Sequence, residues 1–141
     1  MNIKNENEKT VGYIVMGGHY CTFYTLKGSV QDEVFKFSSN IPTIMGHGSE
    51  RFQRQREKAK ANYINNVLDM SKHLFITDTN LNISEVVLCR ERGFPEDIDK
   101  LITPDLAPYL KNIVVITYGG YNGLQQAIHA MKMKNAIENA K

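Results

Sequence analysis

Residues 11–37, VGYIVMGGHYCTFYTLKGSVQDEVFKF, decide the architecture. Val11–Met16 is apolar and β-branched, and Gly17-Gly18 breaks it. Tyr20–Lys27 is rich in aromatic and Thr residues, and Gly28-Ser29 is a second two-residue break. Val30–Phe37 alternates in its second half. Tight breaks between β-forming runs predict an antiparallel meander of three strands.

Outward from this meander the pattern changes twice. Ser38–Glu50 holds Pro42, Gly46 and Gly48, which rules out a regular element. From Arg51 to His73 there is then no Gly or Pro over 23 residues. Phe52, Ala59, Tyr63, Val67 and Met70 share one helical face, and Ser49-Glu50 suits the start of a helix. Leu74–Ile76 and Glu85–Cys89 read as short strands. Residues 94–102 read as a short helix opened by Pro95, and Asp105–Lys111 as a second with Pro108 tolerated in its first turn. Asn112–Tyr118 reads as a strand covered on both faces, and Gly123–Ala140 as a last helix carrying Leu124, Ile128 and Met131 on one side. The fold expected is α/β: a mixed sheet of about five strands with helices on both faces, and a long basic helix after a protruding loop. Residues 1–10 form a polar lead and 11–141 one domain.

Length and composition set bounds. With 141 residues, 42% hydrophobic and 23% charged, the chain has the make-up of one ordinary domain rather than a disordered tail or a coiled-coil rod. No apolar run reaches the ~20 residues of a membrane span, so no membrane partner is expected, and the polar first ten residues lack a signal-peptide core. A cytoplasmic location follows as the expectation. Cys21 and Cys89 lie in apolar runs and read as buried free thiols. His19, His47, His73 and His129 form no ligand-spaced cluster, so no metal and no cofactor are expected.

Charge is uneven. Residues 51–60 carry Arg51, Arg54, Arg56, Lys58 and Lys60 against the single acid Glu57, a net of +4 in a chain whose total is +2. Arg51, Arg54 and Lys58 form one helical row, and Arg56 and Lys60 another. Cationic rows without matching acids suit phosphate binding; a solvated basic face is the other reading. Met45-Gly46-His47-Gly48-Ser49 stands just before them. It lacks the Lys of a nucleotide phosphate loop, and Ser49 lacks the context of a nucleophile elbow. Gly119-Gly120 with Asn122-Gly123 reads either as a phosphate loop or as a tight strand-to-helix turn.

Several blocks carry a family resemblance. They are VGYIVMGGHYCTFYTLKG, Ile41-Pro42, Ser49-Glu50-Arg51-Phe52-Gln53-Arg54, Glu57–Tyr63 and, most specific, Thr117-Tyr118-Gly119-Gly120-Tyr121-Asn122-Gly123 followed by Ala127-Ile128. From about Val11 to Met131 the chain resembles the middle domain of the class I peptide chain release factors of eukaryotes and archaea. The resemblance implies a domain that enters the peptidyl-transferase centre, where a Gly-Gly-Gln loop promotes hydrolysis of the peptidyl-tRNA ester. Its partners would be the large-subunit rRNA and the acceptor end of tRNA, with a translational GTPase engaged through domains not present in this chain. Carried onto this sequence, Gly46, His47, Gly48 and Ser49 would be the catalytic tip, and Arg51, Arg54, Arg56, Lys58 and Lys60 the RNA contacts.

The tip departs from the pattern. No Gly-Gly-Gln occurs anywhere in the chain. Aligned on Ser49, Gly48 takes the glutamine's place; aligned on Arg51-Phe52, His47 does. Two functions therefore stand side by side: ester hydrolysis in translation termination through an altered loop, or a non-catalytic ribosome-binding module of the rescue type that has lost the hydrolysis motif.

Overall fold

The computed structural model describes residues 9–42, 50–77, 83–92, 102 and 104–140. Strands β1 (Thr10–Met16), β2 (Tyr20–Lys27) and β3 (Val30–Ser38) form the expected meander. Helix α1 (Glu50–Lys72) runs into a π-helical turn at His73–Thr77. Strands β4 (Ile83–Glu91) and β5 (Leu110–Ile116) follow, and helix α2 (Gly120–Asn139) ends the fold. The sheet order is β3-β2-β1-β4-β5. β1 pairs antiparallel with β2 and parallel with β4; β2–β3 is antiparallel and β4–β5 parallel. The mixed sheet is a consequence of connection type: turns of three residues (17–19) and two residues (28–29) reverse the chain, whereas α1 carries it across to a strand parallel to β1. Gly28, with φ at 62°, supplies the left-handed position that the β2–β3 turn needs.

Each sheet face has its own core. On one, Ile14, Met16, Phe23, Val86 and Leu88 pack against Tyr63, Ile64, Val67 and Leu68 of α1. On the other, Tyr13, Val15, Tyr24, Val87 and Cys89 pack against Leu124, Ala127, Ile128 and Met131 of α2. Cys21 belongs to the first core and Cys89 to the second, both buried and free, so the sheet itself separates them.

Three expectations change. Leu74–Ile76 is not a strand; it lies in the π-helical turn that prolongs α1. A three-residue apolar run fits either state, and packing decides: Phe75 sits where a Cβ on Gly12 would be, 2.9 Å from its ring atoms. Asp105–Lys111 is not a helix. Residues 104–109 make a single turn in which Tyr109 and Leu110 donate to the Leu106 carbonyl, and β5 begins at Leu110. Third, β5 is an edge strand, with Ile113 and Val115 exposed on the α1 side instead of covered. The short helix expected over 94–102 and the polar lead through residue 8 lie outside the described residues, and β1 already includes Thr10.

The Gly119-Gly120/Gly123 segment resolves as a strand-to-helix turn. Gly120 has φ +63 and packs under the Tyr20 hydroxyl. A Cβ on Gly123 would stand 2.2 Å from the Tyr118 carbonyl oxygen and 2.8 Å from Ile116 Cδ1, so glycine is what lets α2 lie against β5 and β1. Gly123→Ala should therefore cost about 2–3 kcal/mol of stability in urea unfolding, while Gly18→Ala, whose nearest contact would be 3.8 Å away, should stay within about 1 kcal/mol.

Burial also sets an alkaline limit. It pushes the Tyr13 phenol from 10.0 up to about 12, with Cys89 and Glu85 adding to the shift, and raises Tyr63 and both thiols. Raised acids stay neutral in the fold while the unfolded chain releases their protons, so this stability is complete below the ordinary thiol and phenol values and is lost above them. Unfolding free energy should hold level up to pH 9 and then fall through pH 12. Cys89→Ala should flatten the first part of that fall.

Candidate nucleic-acid interface

The interface begins with how α1 is seated. Its buried residues are Tyr63, Ile64, Val67, Leu68 and Ser71, all in its second half. Phe75, just beyond its end, packs on Gly12 near the start of β1, whereas the Tyr63 hydroxyl donates to the Gly17 carbonyl just past the end of β1 at 2.5 Å. The helix therefore runs antiparallel to β1. Residues 50–62 project past the strand's C-terminal end, a reach of roughly 20 Å at 1.5 Å per residue.

The junction under this overhang is built from several elements. Gly17 and Gly18 hold the turn, the Gly18 N–H donates to Glu91 Oε2 at 2.8 Å, and Ser39 Oγ donates to the Gly18 carbonyl at 2.8 Å. Phe37 meets the Tyr63 ring edge-on, with centroids 6.0 Å apart. Sequence reading placed Tyr63 on the apolar face but gave no sign that its hydroxyl pins the helix, and it passed over Glu91 and Ser39. Their partners lie 73 and 21 residues away in the chain, beyond the reach of any local pattern.

All five sequence-derived cations lie on the overhang, and they are not equivalent. Arg51, Arg54 and Lys58 are exposed, and among the described residues no acid lies within ion-pair distance of them. Arg56 is half-buried and its Nε donates to the Pro42 carbonyl at 3.2 Å, tying the last described residue before the loop back to the helix. Lys60 is half-buried and meets Glu57 at 3.6 Å, a pair exposed enough to contribute little. One helical row is thus open and the other partly engaged. Gly46, His47, Gly48 and Ser49, the candidate catalytic tip, lie outside the described residues. Among the described residues no group of His, Cys, Asp and Glu could hold a metal ion. No helix among them is long and apolar enough to cross a membrane.

Residues 10–139 match the family model described as eRF1 domain 2. The chain belongs to that family. It is 35% identical over 128 residues to eukaryotic peptide chain release factor subunit 1 of Podospora anserina, covering 87% of this chain and 29% of the relative. It is 34% identical over 122 residues to the factor of the same name from Saccharomyces cerevisiae, covering 83% and 28%. The fold is similar to that of the archaeal translation termination factor aRF1, with a TM-score of 0.65, 15% identity and coverage of 90% of this chain and 40% of that one. The chain thus spans under a third of the length of these curated relatives. As a member of a translation-termination family it keeps the long helix after the loop while lacking the Gly-Gly-Gln triplet.

The seat of the overhang is open to test. Tyr63→Phe removes a buried hydroxyl from the Gly17 carbonyl and should cost about 1–2 kcal/mol in chemical denaturation without changing the secondary structure seen by circular dichroism.

Proposed function

We propose that this domain works as a ribosome-binding module of release-factor type, docking in the RNA-lined cavity of the large subunit through the overhanging half of α1. The observation that carries this reading is the open row Arg51, Arg54 and Lys58 on a helix end held clear of the sheet. Among the described residues such a row has no acid to pair with. Against a phosphate backbone it releases condensed counterions and makes charge-assisted hydrogen bonds. Family membership supports this class of target: the relatives named above are peptide chain release factors, and a cationic helix of this kind would suit the rRNA and tRNA phosphates of the peptidyl-transferase centre. The site of action would be the cytoplasm, and a partner GTPase would be engaged through other parts of a longer factor.

The missing glutamine favours the non-catalytic form of this reading over hydrolysis. In the hydrolytic reading, Gly46 and Gly48 would allow close backbone approach, His47 would hold the water, and a backbone N–H near Ser49 would face the developing oxyanion. Neither glycine brings a side chain to replace the glutamine, and a histidine differs from it in shape and in its single-proton donor.

The two readings separate in a peptide-release assay with the domain placed in a full-length factor. The module reading expects ribosome binding with release no faster than the factorless background. Release that His47→Ala abolishes would establish the hydrolytic reading instead. Both readings expect no esterase activity from the domain alone. Binding itself tests the rod: Arg54→Glu with Lys58→Glu should weaken affinity for large subunits and lower the slope of log K against log salt by about 2, as two lost phosphate contacts require. Unchanged affinity and slope would reduce the row to a solvated face.

A further inference from the structure

The sheet face opposite α1 carries a second concave site that the family reading leaves unused. The first turns of α2 and the β2–β3 hairpin bound a cleft of about 560 Å³, lined by Tyr24, Ser29, Gln31, Glu33, Tyr121 and Leu124. Its walls are suited to a flat ring. Tyr24 is buried and gives an aromatic floor beside Leu124, while Tyr121 stands 61% exposed at the mouth, free to close over a ligand. Among the described residues no Lys or Arg lines it.

The polar groups form an ordered pattern. Gln125 Nε2 donates to Gln31 Oε1 at 2.6 Å, which occupies one lone pair of that carbonyl and leaves the Gln31 amide N–H groups available to a ligand. Glu33 lies two residues along β3, and among the described residues no cation pairs with its carboxylate. Glu33 also helps burial raise the Tyr24 phenol, which marks the two groups as neighbours. The cleft therefore presents a donor and a double acceptor on one strand, near one exposed aromatic ring.

We propose that this cleft binds a guanine base. The Watson–Crick edge of guanine runs acceptor, donor, donor: O6 would accept from the Gln31 amide, while N1–H and the N2 amino group would donate to the two oxygens of Glu33. Adenine and cytosine can give the carboxylate a single amino donor and the Gln31 amide a ring nitrogen, but they leave the second Glu33 oxygen unmatched, whereas guanine fills both. Uracil matches at O4 and N3–H but sets its O2 against the carboxylate. Stacking on the exposed Tyr121 ring adds affinity without selecting among bases. The base could come from a free guanine nucleotide or from an unpaired guanosine in RNA, since the same edge is read in both. The site is separate from the cationic overhang and does not depend on the ribosome-binding reading.

The test is a heteronuclear NMR titration of the full chain with GMP, AMP, CMP and UMP at millimolar concentration. GMP should produce saturable shifts at Gln31, Glu33, Tyr121 and Leu124, with the other nucleotides at least about tenfold weaker. Glu33→Gln, an exposed change that leaves the core intact, should weaken GMP about tenfold or more, and Tyr121→Ala about fivefold or more, with Tyr121→Phe restoring binding. A uridine hexanucleotide with one central guanosine, compared with the same strand without it, identifies the source: tighter binding than GMP points to RNA, equal binding to the free nucleotide. The proposal is overturned if neither GMP nor the guanosine-bearing strand shifts these residues saturably, if AMP matches GMP, or if Glu33→Gln binds unchanged. None of those outcomes touches the overhang, and loss of RNA binding in Arg54→Glu would leave the cleft as it is.

Discussion

One constraint governs this domain: α1 is packed along only half its length. From Tyr63 onward the helix buries its apolar face on β1, β2 and β4, and the Tyr63 hydroxyl fixes its height by bonding the carbonyl of Gly17. The hydrophobic contacts supply the attraction, but they are non-directional. The hydrogen bond, together with the Gly18–Glu91 and Ser39–Gly18 bonds at the same turn, sets where the helix leaves the sheet. The part of the helix before Tyr63 extends beyond β1 with no fully buried side chain, half-buried at Phe52, Arg56, Ala59 and Lys60, and that is where five of the chain's cations stand. A packed rod end and a charged free end on one continuous helix are a way to hold charge away from the body of a small domain without leaving it on a loose segment.

In the proposed function, stability and RNA binding would use different residues of the same element. The packed half carries Ile64, Val67 and Leu68, whose loss would open cavities in the first core. The free half has no comparable burial, so exchanges among Arg51, Arg54 and Lys58 should alter affinity far more than folding. Arg56 is the exception. Its bond to the Pro42 carbonyl joins the overhang to the chain entering the loop, so it serves local structure as well as charge.

The meander and the helix start were legible in the sequence because they are written locally. The limits of β2 are set by Gly17-Gly18 and Gly28-Ser29, and the limits of the helical run by the absence of Gly and Pro. The charge asymmetry was equally open to reading. Less was visible wherever the outcome depends on a partner far along the chain. Leu74–Ile76 turned helical because Phe75 found a seat on Gly12, and β5 became an edge because no sixth strand pairs with it among the described residues. The helical face through Phe52 and Met70 looked continuous, and only the sheet's length decided that burial starts at Tyr63. The cleft at Gln31 and Glu33 was hidden for the same reason, since its donor pattern depends on Gln125, 94 residues away.

In the proposed docking, the free half of α1 lies against RNA while the packed half does not. A photo-crosslinking amino acid placed at position 54, and separately at the exposed position 69 of the same helix, measures this directly in a complex with large ribosomal subunits. Crosslinks to rRNA from position 54 and none from position 69 are the result expected. Equal crosslinking from both positions, or none from position 54 while the domain remains bound, would contradict it.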